Sequence, residues 1–226
     1  MAEQDQNENT GSRGKGCLFW GTMIFIGLGV VFILVVGGGI WYAKGKLDEA
    51  VNTYTSESAK DVESYEATPE EAEKAQSKIK DLRSAAEKGR AQTFKFTDRE
   101  INTLISESPK LKDTVYVDLE GTKIHATISM PLNKKHFGGL ATVIGEDRYL
   151  NGKATFRVEN TNERPELYAQ KLSVKGKNLP KDFMKRLRKH DFAEVLYDSE
   201  KFQKIRQKLD SVKVEDGQVI VRTAGE

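Results

Sequence analysis

The chain has 226 residues, 36 of them basic and 34 acidic, giving a formal charge of +2, and a mean hydropathy of −0.57. So small a positive excess leaves no electrostatic footprint for nucleic acid. One cysteine, Cys17, excludes an internal disulfide and a cysteine-based metal cluster.

Residues 1–16 are rich in Gln, Asn, Gly and charge and have nothing to bury, so they read as a disordered polar tail. From Cys17 to Ala43 there are twenty-seven residues without an Asp, Glu, Lys or Arg. Roughly 20 helical residues cross a hydrocarbon core of about 30 Å, so this run is a transmembrane helix with length to spare for tilt. Trp20 near one end and Trp41 with Tyr42 near the other stand where a membrane interface collects aromatic side chains. A cleaved signal peptide fits poorly, because its apolar region is shorter and Trp41 would occupy a small-residue position. Cys17 is either a palmitoylation site or an inert thiol. The glycines of the run lack GxxxG spacing, so they signal dimerisation only weakly. Arg13 and Lys15 before the run balance Lys44, Lys46 and Lys60 after it, so flanking charge does not orient the span.

Residues 44–67 read as a stalk or linker, in which Leu47, Ala50, Val51 and Tyr54 extend helical spacing before a polar stretch. An α+β domain, residues 68–226, follows. Thr68-Pro69-Glu70-Glu71 starts a helix with an N-cap, a first-position proline and a capping box. Ala72, Ala75, Ile79, Leu82 and Ala86 give it one apolar stripe, and Gly89 ends it; two heptads with three alanines suit packing on its own domain better than a coiled coil. Phe94 and Phe96 mark a short strand. Thr97-Asp98-Arg99-Glu100 repeats the capping box and opens a second helix bearing Ile101, Leu104 and Ile105.

Beyond Pro109 the period changes from 3.6 to 2. With Glu120-Gly121 as a two-residue loop, Val117 would pair with Ile124 and Val115 with Ala126, setting Asp118 beside Lys123 and Tyr116 beside His125. With Asp216-Gly217 as a second such loop, Val214 pairs with Val219 and Val212 with Val221. Between the hairpins, strands are expected over Leu150 to Val158 and Glu166 to Val174, joined by a polar turn from Asn160 to Pro165. Leu179-Pro180 opens a helical region reaching toward Leu209. The fold class is therefore α+β: an antiparallel β-sheet with packed helices, preceded by one transmembrane helix.

Thr97-Asp98-Arg99-Glu100-Ile101-Asn102-Thr103-Leu104, the hairpin after it, the strand from Leu150 to Val158, and Lys171-Leu172-Ser173-Val174 leading to Leu179-Pro180 resemble the YpmS-like group of small bacterial membrane proteins. The resemblance implies one amino-terminal membrane helix and a domain of unknown function facing outward from the cell membrane. It covers roughly residues 94–221, while the segment 44–89 departs from the compact pattern of that group. The sheet and helix are also analogous to the lipid-binding TULIP-like proteins.

Chemistry-bearing motifs are sparse. His125, His136 and His190 have no metal-ligand spacing, and neither a GxSxG elbow nor a P-loop is present. The loop Lys134 to Gly139 reads as an ordinary turn. The strongest charge feature is Lys181, Lys185, Arg186, Arg188 and Lys189 around Phe183, Met184 and Leu187. This is either a basic amphipathic helix suited to an anionic surface or the solvated face of a helix packed on the sheet. The expectation is a non-enzymatic, membrane-anchored envelope protein without cofactor or metal, whose extracytoplasmic domain binds a partner such as a lipid or other apolar ligand. The alternative is an oligomerising scaffold held by Ile79 and Leu82, with a hydrolase third.

Overall fold

The computed structural model of the protein describes residues 52–109, 111–132, 147–161, 164–179, 181, 184–185, 188–189, 191 and 207–225. The apolar run 17–43, with Trp20, Trp41 and Tyr42, and the loop 134–139 lie outside the described residues. Among those described, no helix is long and apolar enough to cross a membrane.

The described chain is α+β with antiparallel pairing throughout. In order, its elements are α1 (Pro69–Glu87), β1 (Thr93–Thr97), α2 (Asp98–Ser106), β2 (Val115–Glu120), β3 (Lys123–Pro131), β4 (Tyr149–Thr161), β5 (Arg164–Val174), β6 (Lys177–Asn178), β7 (Leu209–Glu215) and β8 (Gln218–Thr223). They form two sheets, a five-stranded one in the order β2-β3-β4-β5-β6 and a three-stranded one in the order β1-β8-β7. Sequence alternation suggested one sheet; the second arises because β1 pairs with β8, Phe94 opposite Val221 and Phe96 opposite Val219.

Both helices start as their sequences dictate. Thr68 and Thr97 each accept from the backbone N–H three residues on, while Glu71 and Glu100 reach back to the cap residues. Arg99 of α2 joins the two starts, its Nε donating to Glu71 Oε1 at 2.6 Å and to the Tyr65 hydroxyl at 2.7 Å. The Glu71 carboxyl is held below its ordinary range, first by the Thr68 backbone N–H and then by hydrogen bonds from Arg99 and Tyr65. A lowered carboxylate pKa contributes stability that is present above the ordinary value of 4.5 and lost as pH falls through the folded-state value. Glu71→Gln should therefore flatten the acid limb of stability, read as the urea midpoint between about pH 6 and about pH 3.

The two hairpins differ in how they turn. In the β7–β8 hairpin Val214 faces Val219 and Val212 faces Val221, as expected, with Asp216 and Gly217 both at positive φ. The β2–β3 hairpin is shifted from the expected register: Leu119 pairs with Ile124, Val117 with Ala126 and Val115 with Ile128, so His125 lies opposite Asp118 rather than Tyr116. The loop is Gly121-Thr122, with Gly121 at φ 58. A glycine in the first central position gives a II′ turn, whereas the Glu120-Gly121 loop would have forced Glu120 into the left-handed region. Gly217 N–H also donates to Gly121 O at 3.1 Å, joining the hairpin tips, and a Cβ there would meet Leu119 O at 3.2 Å. Gly217→Ala should cost about 1–2 kcal/mol through the positive φ, seen as a lower urea midpoint with unchanged m.

β4 and β5 run on past the expected turn, pairing as far as Thr161 with Arg164. A register shift between Thr155 and Phe156 marks an extra residue, Gln170, on β5. β6 is a two-residue strand that the sequence did not announce.

Each sheet has one apolar face. Val117, Ile128, Met130, Phe156 and Val174 face Leu111, Leu132, Leu179, Met184 and Val214, all buried in one cluster. Ile79, Leu82, Phe94, Phe96, Leu104 and Val221 make the second. α2 stands between them: Ile105 belongs to the first cluster, Leu104 to the second, and Ile101 packs on both. The stripe of α1 is thus spent on its own domain, with Ile79 7% and Leu82 2% exposed.

Residues 55–65, expected as linker, lie against the five-stranded sheet. Pro131 faces Tyr149 in a pair without hydrogen bonds, as a residue lacking N–H allows, which turns the Tyr149 N–H and C=O outward. Ser56 takes both, at 2.7 and 2.8 Å. Lys60 N–H then donates to Ser129 Oγ at 2.9 Å and Asn151 Oδ1 at 3.2 Å, and Asn151 Nδ2 donates to Ser58 O at 3.0 Å. Further along, Ser64 Oγ donates to Asp113 Oδ1 at 3.0 Å. This strap crosses the polar side of the sheet.

Candidate functional site

Polar side chains stand on the other face of the five-stranded sheet and along its β5–β6 edge. Alternation along the strands brings Asp118, His125 and Thr155 into one cross-strand row. His125 Nδ1 lies 3.2 Å from Thr155 Oγ1, and Nε2 lies 3.4 Å from Glu120 Oε2. Hydroxyl, imidazole and carboxylate in line is the arrangement sought in a nucleophile–base–orienter set. Here the His125 side chain is 33% exposed with its Nε2 atom buried, and the Glu120 side chain is 82% exposed. A hydrolytic site would also need donors aimed at the developing oxyanion.

The far end of the same face satisfies itself. Arg157 pairs with Glu159 and lies over the Tyr168 ring, 5.3 Å from its centroid, while the Tyr168 hydroxyl donates to Glu166 Oε2 at 2.6 Å. That hydrogen bond to Glu166, with burial adding to it, holds the Tyr168 phenol in its neutral form and raises its pKa. Near β2, Tyr116 is likewise raised, first by burial and then by the Glu63 carboxylate of the strap. Among the described residues no group of three or more His, Cys, Asp or Glu is arranged to hold a metal.

The basic segment from Lys181 lies beside β5. Leu179 N–H donates to Leu172 O at 3.3 Å, Met184 is buried in the core, Arg188 Nε donates to Gln170 O at 3.3 Å, and Asp191 bridges Tyr168. Lys181, Lys185, Arg188 and Lys189 are exposed, and the Arg186 side chain lies outside the description. Sequence reasoning found these cations but missed Lys171, Lys175 and Lys177, which continue the same edge. Their signal was spacing across a turn rather than periodicity on one helix.

Comparison of the chain with family models, with curated proteins and with solved structures gives no match in any of the three.

Proposed function

We propose that this chain is a single-pass membrane protein of the bacterial envelope, anchored by the helix 17–43, whose α+β domain lies outside the cytoplasm and binds a partner on its surface without catalysing a reaction. The resemblance to the YpmS-like group supports the orientation. The surface mode of binding is supported by one observation above the others: among the described residues the apolar face of the five-stranded sheet is covered by the chain's own side chains, from Leu132 and Leu111 at 0% exposure to Leu119 at 8%. An enclosed apolar ligand would need that space. Among the described residues, the polar sheet face and the basic β5–β6 edge are two of the surfaces that stay outward. A scaffold joined through α1 has less support, since it would need Ile79 and Leu82 on the outside.

Native mass spectrometry of the full chain released from detergent tests the surface mode. The expected mass is that of the polypeptide alone. A stoichiometric lipid retained after detergent is stripped would turn the reading toward a ligand carrier.

A further inference from the structure

We propose that the β5–β6 edge, with Lys181, Lys185, Arg188 and Lys189 beside it, docks on the anionic phospholipid headgroups of the membrane that the chain itself enters. This deepens the reading above and rests on the span at 17–43.

The first support is charge segregation. From Leu167 to His190 the sequence has eight Lys and Arg and one acidic residue, Asp182, in a chain whose total charge is only +2, so the remainder is net acidic. Lys171, Lys175, Lys177, Lys181 and Lys185 are exposed. Among the described residues none of the five pairs with a carboxylate, whereas Lys78, Arg99, Arg157 and Lys213 do. A band of cations left without carboxylates suits an anionic surface.

The second support is position. Lys175 Nζ donates to Asn52 O at 2.8 Å, and Arg148 Nη2 donates to Asn52 Oδ1 at 3.1 Å. Asn52 is nine residues beyond Ala43, the end of the apolar run. Nine residues span about 13 Å as helix and about 30 Å fully extended. The Lys175-Gly176-Lys177 turn is thus tied to the first described residue after the apolar run. That tether holds it near the bilayer at an effective concentration no soluble acidic protein matches. Screening over about 10 Å means that small tilts of the domain bring the lysines under the pull of the headgroups.

The test uses the full chain in phosphatidylcholine discs and in mixed phosphatidylcholine–phosphatidylglycerol discs, with amide exchange over residues 171–189 as readout. Exchange should slow at least fivefold in the mixed discs. Raised salt should abolish the effect, and each of Lys177→Gln, Lys181→Gln and Lys185→Gln should weaken it by roughly fivefold. The salt comparison needs no variant and stands if a substitution disturbs folding. Equal exchange in the two discs, or slowing indifferent to salt, overturns the docking while leaving the span intact. Slowing by soluble polyglutamate in phosphatidylcholine discs, without a response to phosphatidylglycerol, would also overturn it and assign the edge to an acidic protein. A chain that carbonate washing removes from the membrane overturns the span and the docking together.

Discussion

Asn102→Ala should destabilise the protein by about 3–5 kcal/mol, the largest loss expected from any single polar side chain here. Asn102 is 2% exposed; its Nδ2 donates to Val117 O at 2.6 Å and its Oδ1 accepts from Val117 N–H at 2.9 Å. β2 is the edge strand of its sheet, so Val117 has no strand on that side and the asparagine amide stands in for one. Alanine would leave a buried N–H and a buried C=O unpaired, each costing about 1–3 kcal/mol, against a whole-domain stability of about 5–15 kcal/mol. Asn160 supplies an internal control. It bonds Val212 N–H at 3.1 Å and Val212 O at 2.8 Å in the same two-point manner, but at an exposed site. Water can replace it there, so Asn160→Ala should cost less than about 1 kcal/mol. Urea unfolding of both variants in detergent checks the contrast, and equal losses would mean that burial is not what makes Asn102 matter.

Asn151→Ala should cost about 2–3 kcal/mol and also change where the chain is cut. The Asn151 side chain, in a residue only 8% exposed, meets Ser58 O, Lys60 N–H and Ser129 Oγ, the last at 2.8 Å. Ser129 retains its own bond to Lys60, so the strap should loosen rather than leave. Limited proteolysis with amino-terminal sequencing should show new cleavage between residues 55 and 66 at protease levels that spare the wild type. The functional stake is the tie between the domain and the proposed anchor, since the strap follows the apolar run in sequence and is bonded to the sheet at Tyr149 and Asn151. A variant that loses stability but is cut nowhere new would mean that residues 55–66 are held by something other than Asn151.

The sequence spoke most clearly where a local rule was sufficient. Both capping boxes, the stripe of α1 and the Asp216-Gly217 hairpin needed only their own residues to be read. The first hairpin slipped because alternation alone tolerates a shift that keeps valines facing apolar partners, and only the handedness required at the turn separates Gly121-Thr122 from Glu120-Gly121. Pairing of β1 with β8 joins residues more than a hundred positions apart, and a five-residue strand with two phenylalanines does not name its partner. The strap has no period, and Ser129 and Asn151 read as solvent-facing because they alternate with core residues. They are buried because the strap lies on them. The cationic edge was half legible: a helical grouping pointed to Lys181, Lys185, Arg188 and Lys189, while Lys171, Lys175 and Lys177 joined them only once β5 and β6 paired.

The account turns on one claim, that the domain stands outside the cytoplasm on a single span. Labelling intact bacterial spheroplasts with a membrane-impermeant amine reagent, followed by peptide mass spectrometry, tests it directly. Lys95, Lys123 and Lys153 are exposed on the domain, and Lys15 lies on the other side of the apolar run. The account predicts modification of those three with Lys15 untouched until the membrane is opened. Modification of Lys15 in intact spheroplasts, with the domain lysines protected, would contradict it.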